Sequence, residues 1–198
     1  MVNKIIKTDK FPNNISPTKL LRKGIKNEFT QYLKTLGFER EKVKYSDGLD
    51  YAFRRVLPNR HDLVDVQFDK YHNPSFVINF GSVPSEGIID GYDRVIPPEN
   101  VVCSMLVING RLVRKWFRWF GVSKIKCNIY GVDKVVTDEI NLAIRQFQKV
   151  ENWFNTRKTC FSLKIFKNEH NESGSRKRYM IEQGTWPPEG WEDDEFNN

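Results

Sequence analysis

The chain is poor in cysteine: Cys103, Cys127 and Cys160 are the only three in 198 residues, spaced 24 and 33 apart, with no CxxC pair. An odd, dispersed set of this kind argues against a disulfide framework and against a cysteine zinc site. Each reads most simply as a small buried hydrophobe in a reducing compartment. No run of about 18 apolar residues occurs, so no membrane span is expected. The first seven residues, Met1 to Lys7, lack the apolar centre of a secretory signal, and the expected compartment is the cytoplasm. The phosphate-binding glycine loop, GxSxG and HExxH are missing too. So is Glu-x-Lys, which a common class of metal-dependent nuclease places on the strand after its first acid. These absences turn the expectation away from an enzyme, and no cofactor or metal is expected.

What is present is enough for a core. Hydrophobic residues make up 39% of the chain and aromatics 13%, too many for intrinsic disorder. A chain of this length fits one domain and hides roughly 70% of its unfolded surface on folding. The net charge is +7, yet Glu189, Glu192, Asp193, Asp194 and Glu195 crowd into a tail from Pro188 to Asn198 that has no Lys or Arg. A basic body with an acidic tail invites an anionic partner, either nucleic acid or an acidic protein surface. The plainer reading is a soluble surface with a solvated terminus.

The spacing of apolar residues sets out an order of elements. Residues 1–15 read as an arm. Ser16-Pro17 opens a helix, serine capping free amides and proline suiting the first helical position. Leu21, Ile25, Phe29, Tyr32, Leu33 and Leu36 recur every three or four residues, and Gly37 ends the run. Alternation then predicts strands over Phe38 to Lys44, Leu49 to Arg54, Leu63 to Lys70 and Ser75 to Gly81, with Asp47-Gly48 as a hairpin turn. Residues 84–100 read as a long loop. Val101 to Ile108 reads as an apolar run ending in an Asn109-Gly110 hairpin signal, and Ile125 to Tyr130 as a short strand. A second long helix runs from about Val135 to Phe154, striped by Val136, Ile140, Ala143, Ile144, Phe147 and Val150. A last strand is expected over Thr159 to Phe166, and loop from Asn168 onward. The expected fold is α+β: an antiparallel sheet of about five strands with two long helices packed against it. The expected organisation is an arm (1–15), one domain (16–166) and a C-terminal extension with an acidic tail (167–198).

The order of six pieces carries a resemblance. Leu36-Gly-Phe38, Val64 to Lys70, Phe76 to Gly81, Gly110-Arg-Leu112, Trp116-Phe-Arg118 and Val150-Glu-Asn-Trp153 resemble the bacterial domain of unknown function family 4304, over roughly residues 20–155. The resemblance implies an α+β fold with the helix first and the strands next. It implies no catalytic residues. Some members look like immunity proteins that neutralise bacterial toxins, which by resemblance makes a defence-associated binding role an expectation here.

Two constellations stand out as candidate sites. The first is a basic-aromatic run: Arg111, Arg114, Lys115, Trp116, Arg118 and Trp119, followed by Lys124 and Lys126. Such cations neutralise phosphates and flat rings stack on unpaired bases; the competing reading divides the aromatics between core and surface and leaves the cations solvated or paired. The second is a polar strand face of Asp65, Gln67 and Asp69 with Asn79 on the neighbouring run, near Arg54, His61 and His72. Clustered carboxylates can hold a divalent ion or act as acid and base, although turn-region histidines at the surface are the simpler account. The leading functional expectation is a non-catalytic protein that binds a protein partner through the basic run. Nucleic-acid binding by the same run is the alternative, and a metal-dependent hydrolase centred on Asp65 and Asp69 is a third. The acidic tail is expected either to dock on the basic run or to stay solvated.

Overall fold

A computed structural model describes residues 16–41, 49–71, 73–114 and 119–185. The first helix begins as the sequence predicts. Ser16 Oγ accepts from the Lys19 amide at 3.4 Å, and Pro17 occupies the first position. Helix α1 (Pro17–Gly24) runs through a wider π-turn (Ile25–Phe29) into α2 (Thr30–Thr35). The Thr30 hydroxyl donates to the Ile25 carbonyl at 2.9 Å across that wide turn. Leu21, Ile25, Phe29 and Leu33 are fully buried, so the helix buries the stripe read from its sequence.

The strands that follow are β1 (Glu39–Glu41), β2 (Leu49–Leu57), β3 (Arg60–Phe68) and β4 (Ser75–Pro84), then a small hairpin of β5 (Ile88–Ile89) and β6 (Val95–Ile96), then β7 (Ile108–Leu112) and β8 (Phe120–Gly121). Helices α3 (Lys124–Tyr130) and α4 (Val132–Thr156), strand β9 (Leu163–Lys167) and helix α5 (Ser175–Glu182) complete the described chain. The main sheet is antiparallel, in the order β1-β2-β3-β4-β7-β9, with β8 pairing the start of β4. The main sheet has seven strands among the described residues where about five are expected: β9 falls where a last strand is expected, while β7 and short β8 lie where none is read.

Three local expectations are corrected. Asn109-Gly110 is not a turn; it lies inside β7, opposite Phe166 and Ile165 of β9. Gly110 is required there by close approach, since a Cβ would come within 2.2 Å of the Phe80 ring on the next strand. Residues 125–130 are helical rather than extended, since Cys127 and Val132 must turn inward while Ile125 and Ile129 stay exposed. Residues beyond Asn168 form a short turn and then α5 rather than a plain loop. The Asn168 amide donates to the Val107 carbonyl at 2.7 Å, and those of Arg176 and Lys177 donate to the Gly91 carbonyl at 2.8 and 3.0 Å. This segment is therefore fastened to the loop between β4 and β7.

The two faces of the sheet are covered differently. Val64, Val66, Phe76, Ile78, Phe80 and Leu112 face the helices, where Phe147 of α4 meets Phe29 edge-on at 5.7 Å and Trp153 meets Phe80 at 4.9 Å. On the opposite face, Leu63 and Val83 are capped by Val101, Cys103 and Leu106 from the loop before β7. Gly81 lets that loop lie close: a Cβ at this position would stand 2.3 Å from Leu106 Cδ1. The loop covers the apolar end of the face and leaves its polar end as the floor of a cleft. Among the described residues, no helix is long and apolar enough to cross a membrane.

Candidate functional site

Strand register builds the site. Asp65 pairs with Asn79, Asn79 with Arg111 and Arg111 with Lys164, so one row of polar residues crosses four strands on the face away from the helices. Nearest neighbours in such a row lie on adjacent strands, about 5 Å apart. Asp65, Asn79 and Arg111 of this row, with Gln67, form the floor of an open cleft of about 950 Å³. Its walls are the Val102–Met105 turn, Asn109 and Phe166, and the segment from Lys167 to Asn171 with Arg176.

The guanidinium of Arg111 is the fixed centre of this floor. Its Nε donates to Asn79 Oδ1 at 2.8 Å and its Nη2 to Gln67 Oε1 at 3.4 Å; Asn79 Nδ2 also donates to Gln67 Oε1 at 3.4 Å. The ring of Phe166 lies 5.5 Å from the guanidinium carbon. Both of those hydrogen-bond acceptors are neutral amides. Burial accordingly lowers the Arg111 pKa, and the nearby Asp65 charge offsets this only in part.

Asp65 is the buried acid of the floor, 4% exposed. Among the described residues, its Oδ1 is buried without a hydrogen-bond partner. Burial pushes its pKa up to about 7; a hydrogen bond from Cys103 and the Arg111 charge pull the other way, and the Glu41 charge adds to the rise. Cys103 is buried beside it, and burial with the adjacent carboxyl raises its thiol pKa well above normal. A thiol so placed stays protonated and is a poor nucleophile.

The structure takes both sequence constellations apart and recombines them. Asp65, Gln67 and Asn79 do come together. Asp69 does not join them: its Oδ1 accepts from the amides of Tyr71 and Asn73 and from the Asn73 side chain, closing the β3–β4 turn. Arg54 is structural, donating to the carbonyls of Pro98 at 2.6 Å and Val101 at 2.9 Å, so that it pins the loop over the sheet. His61 sits on β3 with Nδ1 3.4 Å from Arg54 Nη1, and His72 lies outside the described residues.

The basic run is split because a strand points alternate residues to opposite faces. Arg111 leaves it for the cleft. Arg114 pairs with Glu139 of α4 at 2.9 Å, a carboxylate whose pKa burial raises and the Arg114 charge lowers. Trp119 is half-buried just before β8, and Lys124 and Lys126 belong to α3, with Lys126 exposed. Lys115, Trp116 and Arg118 lie outside the described residues, as does the tail from Trp186 to Asn198. Among the described residues, no group of three His, Cys, Asp or Glu side chains could hold a metal ion.

Several cleft residues are not among the candidate site residues read from the sequence: Cys103, Asn109, Phe166, His170 and Arg176. The alternation of Lys164 and Phe166 with Leu163 and Ile165 marks a strand, yet it does not say which strand lies next to it. No family model, curated protein sequence or solved structure matches this chain.

Proposed function

We propose that this is a non-catalytic binding protein whose recognition site is the polar cleft on the face of the sheet opposite α1, α2 and α4, and that its partner is a protein. The observation that carries the reading is the floor: a guanidinium held by two neutral amides, beside a buried carboxyl, at the base of a 950 Å³ open cleft. Pre-set polar groups in a concave site are what recognition requires. An arginine already fixed by its neighbours loses little entropy on binding. A cleft open along the sheet admits a protruding segment of a macromolecule as readily as a small molecule. An immunity-type role, with a toxin as partner, is one form of this proposal and rests on the family resemblance alone.

The other readings draw less support. A nucleic-acid surface built on the basic run loses Arg111 to the cleft and engages Arg114 with Glu139. A hydrolase centred on Asp65 and Asp69 loses Asp69 to a turn.

Site-specific photo-crosslinking tests the proposal. A crosslinker at His170, on the cleft rim, is compared with one at Arg145, on the exposed face of α4, in nuclease-treated lysate of the source cells. The expected result is a defined protein adduct from position 170 and none from position 145. Equal adducts at both positions would overturn the cleft as the binding site. An adduct that forms only without nuclease would transfer the reading to nucleic acid.

A further inference from the structure

The charge around the cleft is unevenly arranged. Arg111 is on the floor, and Lys167, His170 and Arg176 line the walls; the acids there are Asp65 and Glu169. Lys167 is engaged with Glu172 at 2.9 Å. Arg111 stands apart from these: it is half-buried, its described hydrogen-bond acceptors are the uncharged amides of Asn79 and Gln67, and the charged group that influences it is Asp65. A desolvated guanidinium satisfied by dipoles has an unmet demand for an anion. Its planar fork suits the two oxygens of a carboxylate.

We infer that the cleft takes an acidic side chain of the partner, with its carboxylate seated against the Arg111 guanidinium and the rim cation Arg176 drawing the surrounding acidic segment in. This rests on the cleft being the binding site and adds the chemistry of what enters it. The fixed hydrogen bonds to Asn79 and Gln67 leave the guanidinium no freedom to turn away. The neighbouring carboxyl gives the site a second property. An incoming anion repels ionised Asp65 and tolerates the protonated acid, so binding draws a proton onto Asp65. Its charged and titratable surroundings are Cys103 on the covering loop, Arg111 on β7 and Glu41 on β1, with Lys167, Glu169, His170 and Arg176 along the cleft. Affinity for an acidic probe therefore falls as pH rises through about 7, where Asp65 ionises. A basic ligand, drawn to ionised Asp65, would show the opposite slope. His170 also stands on the rim, so a variant there serves as the control for Asp65.

The test is calorimetric titration of the full chain with hexaglutamate, hexalysine and inorganic phosphate at about pH 6 and about pH 8, in two buffers of different ionisation heat. Hexaglutamate is expected to bind more tightly at the lower pH with net proton uptake, and hexalysine not to bind. Arg111→Gln should weaken hexaglutamate about tenfold or more. Arg111→Lys, which keeps the charge and loses the fork, should weaken it less, and thermal melts establish that both variants fold. Asp65→Asn should bind hexaglutamate more tightly than the unaltered chain at about pH 8 and lose most of the pH dependence, whereas His170→Gln should retain that dependence. Hexalysine binding, phosphate binding without hexaglutamate binding, no binding of any probe, or hexaglutamate affinity unchanged in folded Arg111→Gln would each overturn the inference. If crosslinking at position 170 captures a protein while hexaglutamate fails, the acidic-ligand inference falls and the cleft remains the binding site.

Discussion

Asp65 is inside because strand β3 carries it there: its neighbours Val64 and Val66 are fully buried in the helix-side core, and the next residue in line must face the loop side. Its folded pKa of about 7 stands above the unfolded carboxylate value of roughly 4. The native state therefore holds a proton that the unfolded state releases, and stability falls as pH rises from about 4 through about 7. Asp65→Asn removes the group that must ionise. It is expected to raise stability at about pH 8 by up to about 4 kcal/mol and to do little at about pH 2.5, where both states are protonated. Thermal melts of the two proteins at those pH values check this, and a stabilisation equal at both would contradict it. Gly110 makes the complementary case, where absence of a side chain is what the site needs. Gly110→Ala puts a methyl group into the Phe80 ring and should cost about 1–3 kcal/mol in urea unfolding, by overpacking.

At the level of elements, α4 is fastened to the sheet by packing at one set of positions and by charge at another. Phe147 contacts Phe29, Tyr32 and Phe38 with ring centroids 5.7, 6.0 and 6.2 Å away. Phe147→Ala should lose about 3–5 kcal/mol, because a cavity opens between two helices and a strand that cannot collapse into it. The charged fastening runs through β2. Arg55 donates to Glu151 of α4 and to Asp62 of β3, each at 2.8 Å, and to the Leu36 carbonyl at 3.1 Å; burial lowers its pKa, but these acids outweigh that and raise it overall. Asp62 is fully buried and also accepts from Arg60 at 2.8 Å and Ser82 at 2.7 Å. Asp62→Ala strands Arg55 beside a single acid and is expected to cost about 3–5 kcal/mol, as loss of one partner of a buried ion pair does. Chemical denaturation of both variants measures these losses. A smaller loss for Asp62→Ala than for an exposed-pair control, Asp138→Ala, would refute the role given to the network.

Across the whole molecule, the cleft depends on a segment late in the chain. The stretch after β9 donates to the β4–β7 loop from the Asn168 side chain to Leu106 O at 3.0 Å and from the Asn171 side chain to Ser104 O at 2.8 Å. It touches little of the helix-side core. Truncation after Lys167 is therefore expected to leave cooperative unfolding in place while raising amide exchange within residues 90–107. Exchange in α4 should stay unchanged. Mass-spectrometric exchange of the truncated and full chains decides the matter, and equal protection over 90–107 in both would show that the late segment is only an appendage.

The helix stripes, the alternating strands and the α+β class were legible in the sequence because each is a local periodicity: side chains three or four apart share a helix face and side chains two apart share a strand face. So were Asp65, Gln67 and Asn79 as a polar face, since alternation alone separates them from Val64, Val66 and Ile78. The same local logic failed at Asn109-Gly110, where turn chemistry was present but Gly110 served the approach of the Phe80 ring. It failed again at the basic run, whose neighbours in sequence are not neighbours in space: Arg111 faces the cleft and Arg114 meets α4. Only the tertiary structure could bring Arg111 to Asn79, Cys103 to Asp65 and His170 to the rim, because strand order and loop placement are set by long-range pairing. Burial then changed the chemistry of those groups: desolvation raises the pKa of Asp65 to about 7 and lowers that of Arg111, and no residue's desolvation is written in its own neighbourhood of the chain.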